Sequence, residues 1–172
     1  MTSEEFKDKA LTNVLKGLRA SFDQCLGVER LKLSYMVTDT EGDHIFGVPD
    51  PTGNMAVYKA VVRHTMRDLG SRYVVSMCEV QAVTSKRVDG ASDAEEHAKA
   101  LKVFSNPANR KDMLICVAWS RIGPAWGYCA SAQISEPDIT GRRSLGEWAT
   151  HEGEDLDMGG GVMAGLAMPE DN

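Results

Sequence analysis

The stretch Leu114–Ile134, LICVAWSRIGPAWGYCASAQI, decides the fold. Two apolar runs flank Ile122-Gly123-Pro124, and each carries a tryptophan and, three residues farther out, a cysteine. A Gly-Pro pair punctuates the chain as a turn, so the stretch reads as a β-hairpin. Setting Trp119 opposite Trp126 pairs Val117 with Tyr128, Cys116 with Cys129 and Ile115 with Ala130. Side chains alternate across a strand. One face then collects Ile115, Val117, both indoles and Tyr128, while the other carries Cys116, Ala118, Gly127 and Cys129. Both faces are mainly apolar, which predicts a hairpin covered on both sides.

The flanking chain supplies the covers. Thr2-Ser3-Glu4-Glu5 has the spacing of a capping box, and Phe6, Ala10, Leu11, Val14, Leu15, Leu18 and Phe22 follow helical spacing up to a stop at Gly27. Leu31, Leu33, Tyr35 and Val37 alternate with polar residues as in a half-buried strand, and His44–Val48 returns beside it after the turn Thr40–Asp43. Asp50-Pro51 is expected to open a second helix whose apolar stripe is Met55, Tyr58, Val62, Met66 and Leu69, closed by Gly70. Arg72–Val83 reads as a third strand. Ser92-x-x-Glu95 opens a short helix, and Ser144–Thr150 forms a last short strand. The expected fold is α+β: a mostly antiparallel sheet of five to six strands with two main helices packed on it. Residues 1–150 form one domain, and residues 151–172 an acidic and glycine-rich C-terminal tail.

The chain has 172 residues, of which 42% are hydrophobic and 26% charged. That length buries enough surface to fold without a metal or disulfide staple. The net charge of −6, with basic residues scattered in pairs, opposes a nucleic-acid footprint. The longest apolar run falls far short of a membrane span, and the opening MTSEEFKDKA lacks the basic and apolar regions of a signal peptide. A cytoplasmic location is expected, with the four cysteines reduced.

Few residues have the makings of chemistry. Glu79 sits mid-strand among Val74, Val75, Met77 and Val80. A carboxylate there must reach water, pair with a cation or take a raised pKa. Arg110, Lys111 and Arg121 are the expected partners, and a perturbed carboxylate in a cleft is a candidate acid or base. Gly53 and Asn54, in GVPDPTGN, lie where a helix N-terminus can hold an anion, or simply in a capped turn. Cys116 and Cys129, facing each other, read as a thiol pair or as small buried residues that let a neighbour pack closely. The histidines His44, His64, His97 and His151 match no metal-binding spacing, and the run from His151 to Asp157 reads as a solvated acidic linker. No cofactor is expected.

At Cys78-Glu79-Val80, Asn109-Arg110-Lys111-Asp112 and Ser144-Leu145-Gly146-Glu147-Trp148 the chain resembles a group of small uncharacterised bacterial and phage proteins. Those pair an E-A-W strand with a P-D-R-x-E strand start and a late L-G motif. The resemblance spans residues 70 to 150, with Gln81 in place of the tryptophan and Pro107 two positions early. It implies an α+β fold and carries no activity across.

These features predict a non-enzymatic domain that acts through protein contacts, with itself as a homo-oligomer or with another protein, and with neither nucleic acid nor membrane. The expected contact surface is Trp119, Trp126 and Tyr128, with Val162, Met163 and Leu166 of the tail as a further apolar handle. The alternative is a small enzyme or nucleotide- or anion-binding protein that uses Glu79 and a nearby basic residue.

Overall fold

In the computed structural model, described for residues 1–25, 27–83, 86, 88–120, 126–153 and 166, six strands form one antiparallel sheet. They are β1 (Ser34–Thr38), β2 (Ile45–Val48), β3 (Tyr73–Ala82), β4 (Lys111–Ser120), β5 (Trp126–Gln133) and β6 (Ala149–Gly153). The order across the sheet is β2-β1-β3-β4-β5-β6. The fold is α+β, as expected, with three helices among the described residues rather than two.

The first helix starts at the predicted capping box: the Thr2 hydroxyl accepts from the Glu5 N–H while Glu5 reaches back to the Thr2 N–H. It runs Ser3–Phe6, passes through a π-helical turn at Lys7–Leu11, and continues over Thr12–Gln24. The π turn has a clear use. Phe6 and Leu11 are five residues apart, which in a regular α-helix leaves them about 140° out of line. The wider turn brings both onto the buried face, with Leu18 and Phe22. This helix packs on one face of the sheet, against Tyr73, Val75, Leu114, Cys116, Ala118, Trp126 and Tyr128.

The second helix, Met55–Leu69, covers the other face over β1 and β2. It buries Tyr58, Val62 and Met66 against Tyr35, Val37 and Val48. Its start corrects the expectation at Asp50-Pro51. The Asp50 carboxylate accepts from the N–H groups of Thr52 and Gly53, which closes a separate turn with Gly53 at φ +68°. Asn54 then caps the helix, its side-chain oxygen accepting from Ala56 and Val57. Gly70 ends it in the left-handed conformation (φ +60°), as the sequence suggests. The third helix, Asp93–Phe104, buries none of its residues.

The sheet is therefore clad on both faces by helices from different parts of the chain. The first helix covers the hairpin on one side, and the second helix lies over β1 and β2 on the other. On the second-helix face, Ile115, Val117, Trp119 and Cys129 join the same cluster as Leu166, which is fully buried.

Tyr58 also closes the end of the β1–β2 ladder. Its hydroxyl accepts from the Tyr35 N–H at 2.9 Å and donates to the Val48 C=O at 2.6 Å, standing in for a strand-to-strand bond. Tyr58→Phe leaves both backbone groups unpaired in the core. It is expected to lower the unfolding free energy by about 1–3 kcal/mol, measured as a lower urea midpoint at unchanged slope.

The strand β6 crosses the expected boundary at residue 150: His151, Glu152 and Gly153 pair with Cys129, Tyr128 and Gly127. The expected acidic linker thus begins inside the sheet. Glu152 accepts from the Trp126 indole N–H at 3.0 Å and from Lys7 at 2.9 Å, tying β6 and β5 to the first helix.

Candidate functional site

The hairpin has a different register from the one that the tryptophan symmetry suggests. Trp119 lies opposite Gly127, Ala118 opposite Tyr128, Ser120 opposite Trp126 and Val117 opposite Cys129. The shift is one residue, and one residue moves every side chain of β5 to the other face. Trp126 and Tyr128 therefore sit under the first helix, 8% and 6% exposed, while Trp119 belongs to the opposite face. Cys116 and Cys129 part company in the same way. The reason is volume: the observed register sets each large aromatic beside a small residue, Trp119 beside Gly127, Tyr128 beside Ala118 and Trp126 beside Ser120. Stacking both indoles and the tyrosine on one face leaves the other too thin to fill at interior density. The predicted contact surface made of Trp119, Trp126 and Tyr128 together is corrected accordingly. Of the tail residues assigned to it, Leu166 is buried in the core, and Val162 and Met163 lie outside the described residues.

The thiols have the character of core residues. Burial pushes the Cys116 thiol up to about 12, and burial also raises Cys78 and Cys129. A thiol held protonated is a poor nucleophile and a poor metal ligand.

Glu79 is brought together with a partner that sequence reasoning missed. Arg143, 64 residues away, forms a two-pronged ion pair with it: Nη1 donates to Oε1, and Nη2 donates to Oε2 at 3.1 Å. The side chains are 2% and 7% exposed. The Leu31 N–H donates to Oε2 at 3.3 Å, and the more exposed Arg30 stands 3.6 Å from Oε1. Arg143 also donates from Nε to the Gly27 C=O and from Nη2 to the Glu29 C=O, and it lies over the Phe22 ring. Its bonds to Glu79 hold the guanidinium pKa above its usual value against the opposing effect of burial. Of the partners expected from sequence, Arg110 instead donates to the Phe104 C=O and covers that ring. Arg121 lies outside the described residues. The Glu79–Arg143 pair thus ties β3 to the end of the first helix and to the loop before β6. The signal for it was present only as the mid-strand carboxylate; nothing local marks Arg143.

Beside that pair lies an open concavity of about 410 Å³, whose wall includes Asp23, Glu136, Asp138 and Arg142. Asp138 is engaged with the N–H groups of Thr140 and Arg142. The Gly53–Asn54 turn, weighed as an anion site, has its Gly53 N–H bonded to Asp50 and its Asn54 side chain bonded to the helix start. His44 pairs with Asp39 at 2.7 Å and His64 with Asp68 at 3.2 Å. Among the described residues, no group of three or more His, Cys, Asp or Glu is placed to hold a metal ion. No helix among them is long and apolar enough to cross a membrane.

The surface with the clearest unmet demand is the β2 edge of the sheet. Among the described residues, β2 pairs with β1 on one side and with no strand on the other. Its Phe46 is 45% exposed, and the start of the second helix, which lies over β1 and β2, adds exposed Met55 and Val57. On the opposite face an open groove of about 450 Å³ runs between the first helix and the strands, lined by Ala10 and Val14 of the helix and Met36 and Ile45 of the strands, with Lys9, Asn13 and Asp43 also on its wall. Within the strand itself, Ile-Phe-Gly-Val, no proline or charged residue guards the edge, although Pro49 follows it directly. No family model matches the chain, and no curated protein or solved structure shows significant similarity to it.

Proposed function

We propose that this chain works through protein–protein contacts rather than by catalysis, with a second copy of itself as its partner. The observation that carries this reading is the β2 edge: a strand without a charge of its own, with exposed Phe46 on it, exposed Met55 and Val57 at the start of the helix that covers β1 and β2, and a groove on its far face whose wall includes Met36, Ile45, Ala10 and Val14. Edges of this kind template pairing with another chain. The rival use of Glu79 as an acid or base draws no support from its surroundings, because both of its oxygens accept hydrogen bonds and its side chain is out of water.

Light scattering coupled to gel filtration over a concentration series tests the proposal. The mass is expected to climb from one chain toward two as concentration rises. A mass that stays at one chain throughout the series rejects self-association.

A further inference from the structure

We infer that two copies join edge to edge through β2, antiparallel about a two-fold axis that passes between the Phe46 residues of the two chains. This deepens the self-association proposed above and rests on it.

The register follows from which backbone groups are free. The Asp39 N–H donates to the His44 C=O at 3.2 Å, so those two residues form a hydrogen-bonded pair. Bonded and non-bonded pairs alternate in an antiparallel ladder. Phe46, opposite Val37, therefore turns its backbone groups toward β1, and Ile45 and Gly47 turn theirs to the open side. Beyond them the edge is closed. Pro49 has no N–H to give, and the Asp43 N–H is bonded to the Asp39 carboxylate. A second β2 strand can meet this edge with its axis at Ile45, at Phe46 or at Gly47. An axis at Gly47 sets Ile45 against Pro49 and loses a donor on each side. An axis at Ile45 sets Gly47 against Asp43, whose N–H is already taken. An axis at Phe46 sets Ile45 of each copy against Gly47 of the other, and all four outward N–H groups find a C=O.

The side chains agree with that choice. Phe46 meets Phe46 of the second copy as a non-bonded pair, the closer of the two kinds, and aromatic cross-strand pairs stabilise a ladder. On the groove face, a Cβ built at Gly47 meets nothing within 4 Å. That space lies where the Ile45 side chain of the second copy arrives. The ladder is short and bounded at both ends, so pairing uses up this edge and closes as a two-fold dimer. An interface of this extent sits at the low end of stable contacts, which fits a dimer that forms and separates.

Directly opposed residues of a non-bonded pair have Cα atoms about 4.5 Å apart, within the range that a disulfide spans. The test uses the full chain with Cys25→Ser, since Cys25 is the exposed thiol among the described residues. Phe46→Cys in that background is expected to form a disulfide dimer under mild oxidation about tenfold faster, or more, than Leu101→Cys, because pairing raises the local thiol concentration. Leu101, on the third helix, is similarly exposed, so it controls for random collision. Phe46→Glu, which sets like charges across the axis, is expected to hold the mass at one chain, with an unchanged far-UV spectrum showing that it folds. Equal cross-linking at the two positions overturns the edge-to-edge dimer. If the mass of the unaltered chain still rises with concentration in that case, self-association stands and uses another surface. A mass fixed at one chain overturns both.

Discussion

Arg143→Ala is expected to lower the unfolding free energy by about 3–5 kcal/mol, a large share of the roughly 5–15 kcal/mol that a domain has in total. Three losses combine. The Glu79 carboxylate stays buried, 2% exposed, without its two-pronged partner. The Gly27 and Glu29 carbonyls lose a donor. The Phe22 ring loses the guanidinium stacked over it. Arg30, 65% exposed and 3.6 Å from the carboxylate, compensates little, because an exposed cation must give up water to come closer. The reciprocal change, Glu79→Gln, is expected to cost less, since the amide keeps the shape and still accepts one bond. The double change Glu79→Leu with Arg143→Met is expected to be less destabilising than Arg143→Ala alone, because no charge is left stranded. Urea unfolding of the four proteins checks the order. If Arg143→Ala unfolds at the same midpoint as the unaltered chain, the pair is not the clamp described here. The same comparison separates a structural role for Glu79 from a chemical one, because a clamp shifts stability.

Phe6→Ala is expected to be as severe, about 3–5 kcal/mol. Phe6 is fully buried and is the first anchor of the first helix on the sheet. Its ring stacks on Tyr73 with centroids 4.0 Å apart and planes 5° apart, and it meets Trp126 edge-on at 6.2 Å. Removing it opens a cavity beside the Tyr73 and Trp126 rings, where collapse is hindered because these two hold each other edge-on at 5.9 Å. It also frees the π-helical turn that follows, whose purpose is to keep Leu11 in line with Phe6. The lowered urea midpoint is the first readout. Trp126 fluorescence in the folded protein is the second, and it is expected to shift as water reaches the indole. A variant with the stability and emission of the unaltered chain contradicts the placement of the first helix over Trp126.

These expected losses mark how the elements divide between local and long-range causes. The first helix, the β1–β2 hairpin and the end of the second helix were legible because each is specified by residues within one turn or one strand of each other: the Thr2–Glu5 box, the Tyr35–Val37 alternation, the Gly70 stop. The start of the second helix was misplaced by four residues because Asp50-Pro51 and Asn54 are both plausible openings. The Asp50 carboxylate closes its own turn, which hands the cap to Asn54. Arg143 was missed as the partner of Glu79 because nothing near it in the chain marks it. Only the packing of the loop before β6 against the end of the first helix brings it there.

The amino-acid sequence by itself determined the α+β class, the antiparallel sheet, the caps of the first and third helices and the demand that Glu79 reach water, pair with a cation or take a raised pKa. All of these follow from periodicity and from the cost of burying polar groups. Tertiary structure alone decided the hairpin register, the faces on which Trp119 and Trp126 lie, the identity of the cation and the place of β2 at the end of the sheet order. The physical reason is that a symmetric apolar hairpin satisfies strand alternation in either of two registers. The choice between them is made by volume: large side chains must find small ones across the strand and a helix above them, and neither is encoded within the hairpin.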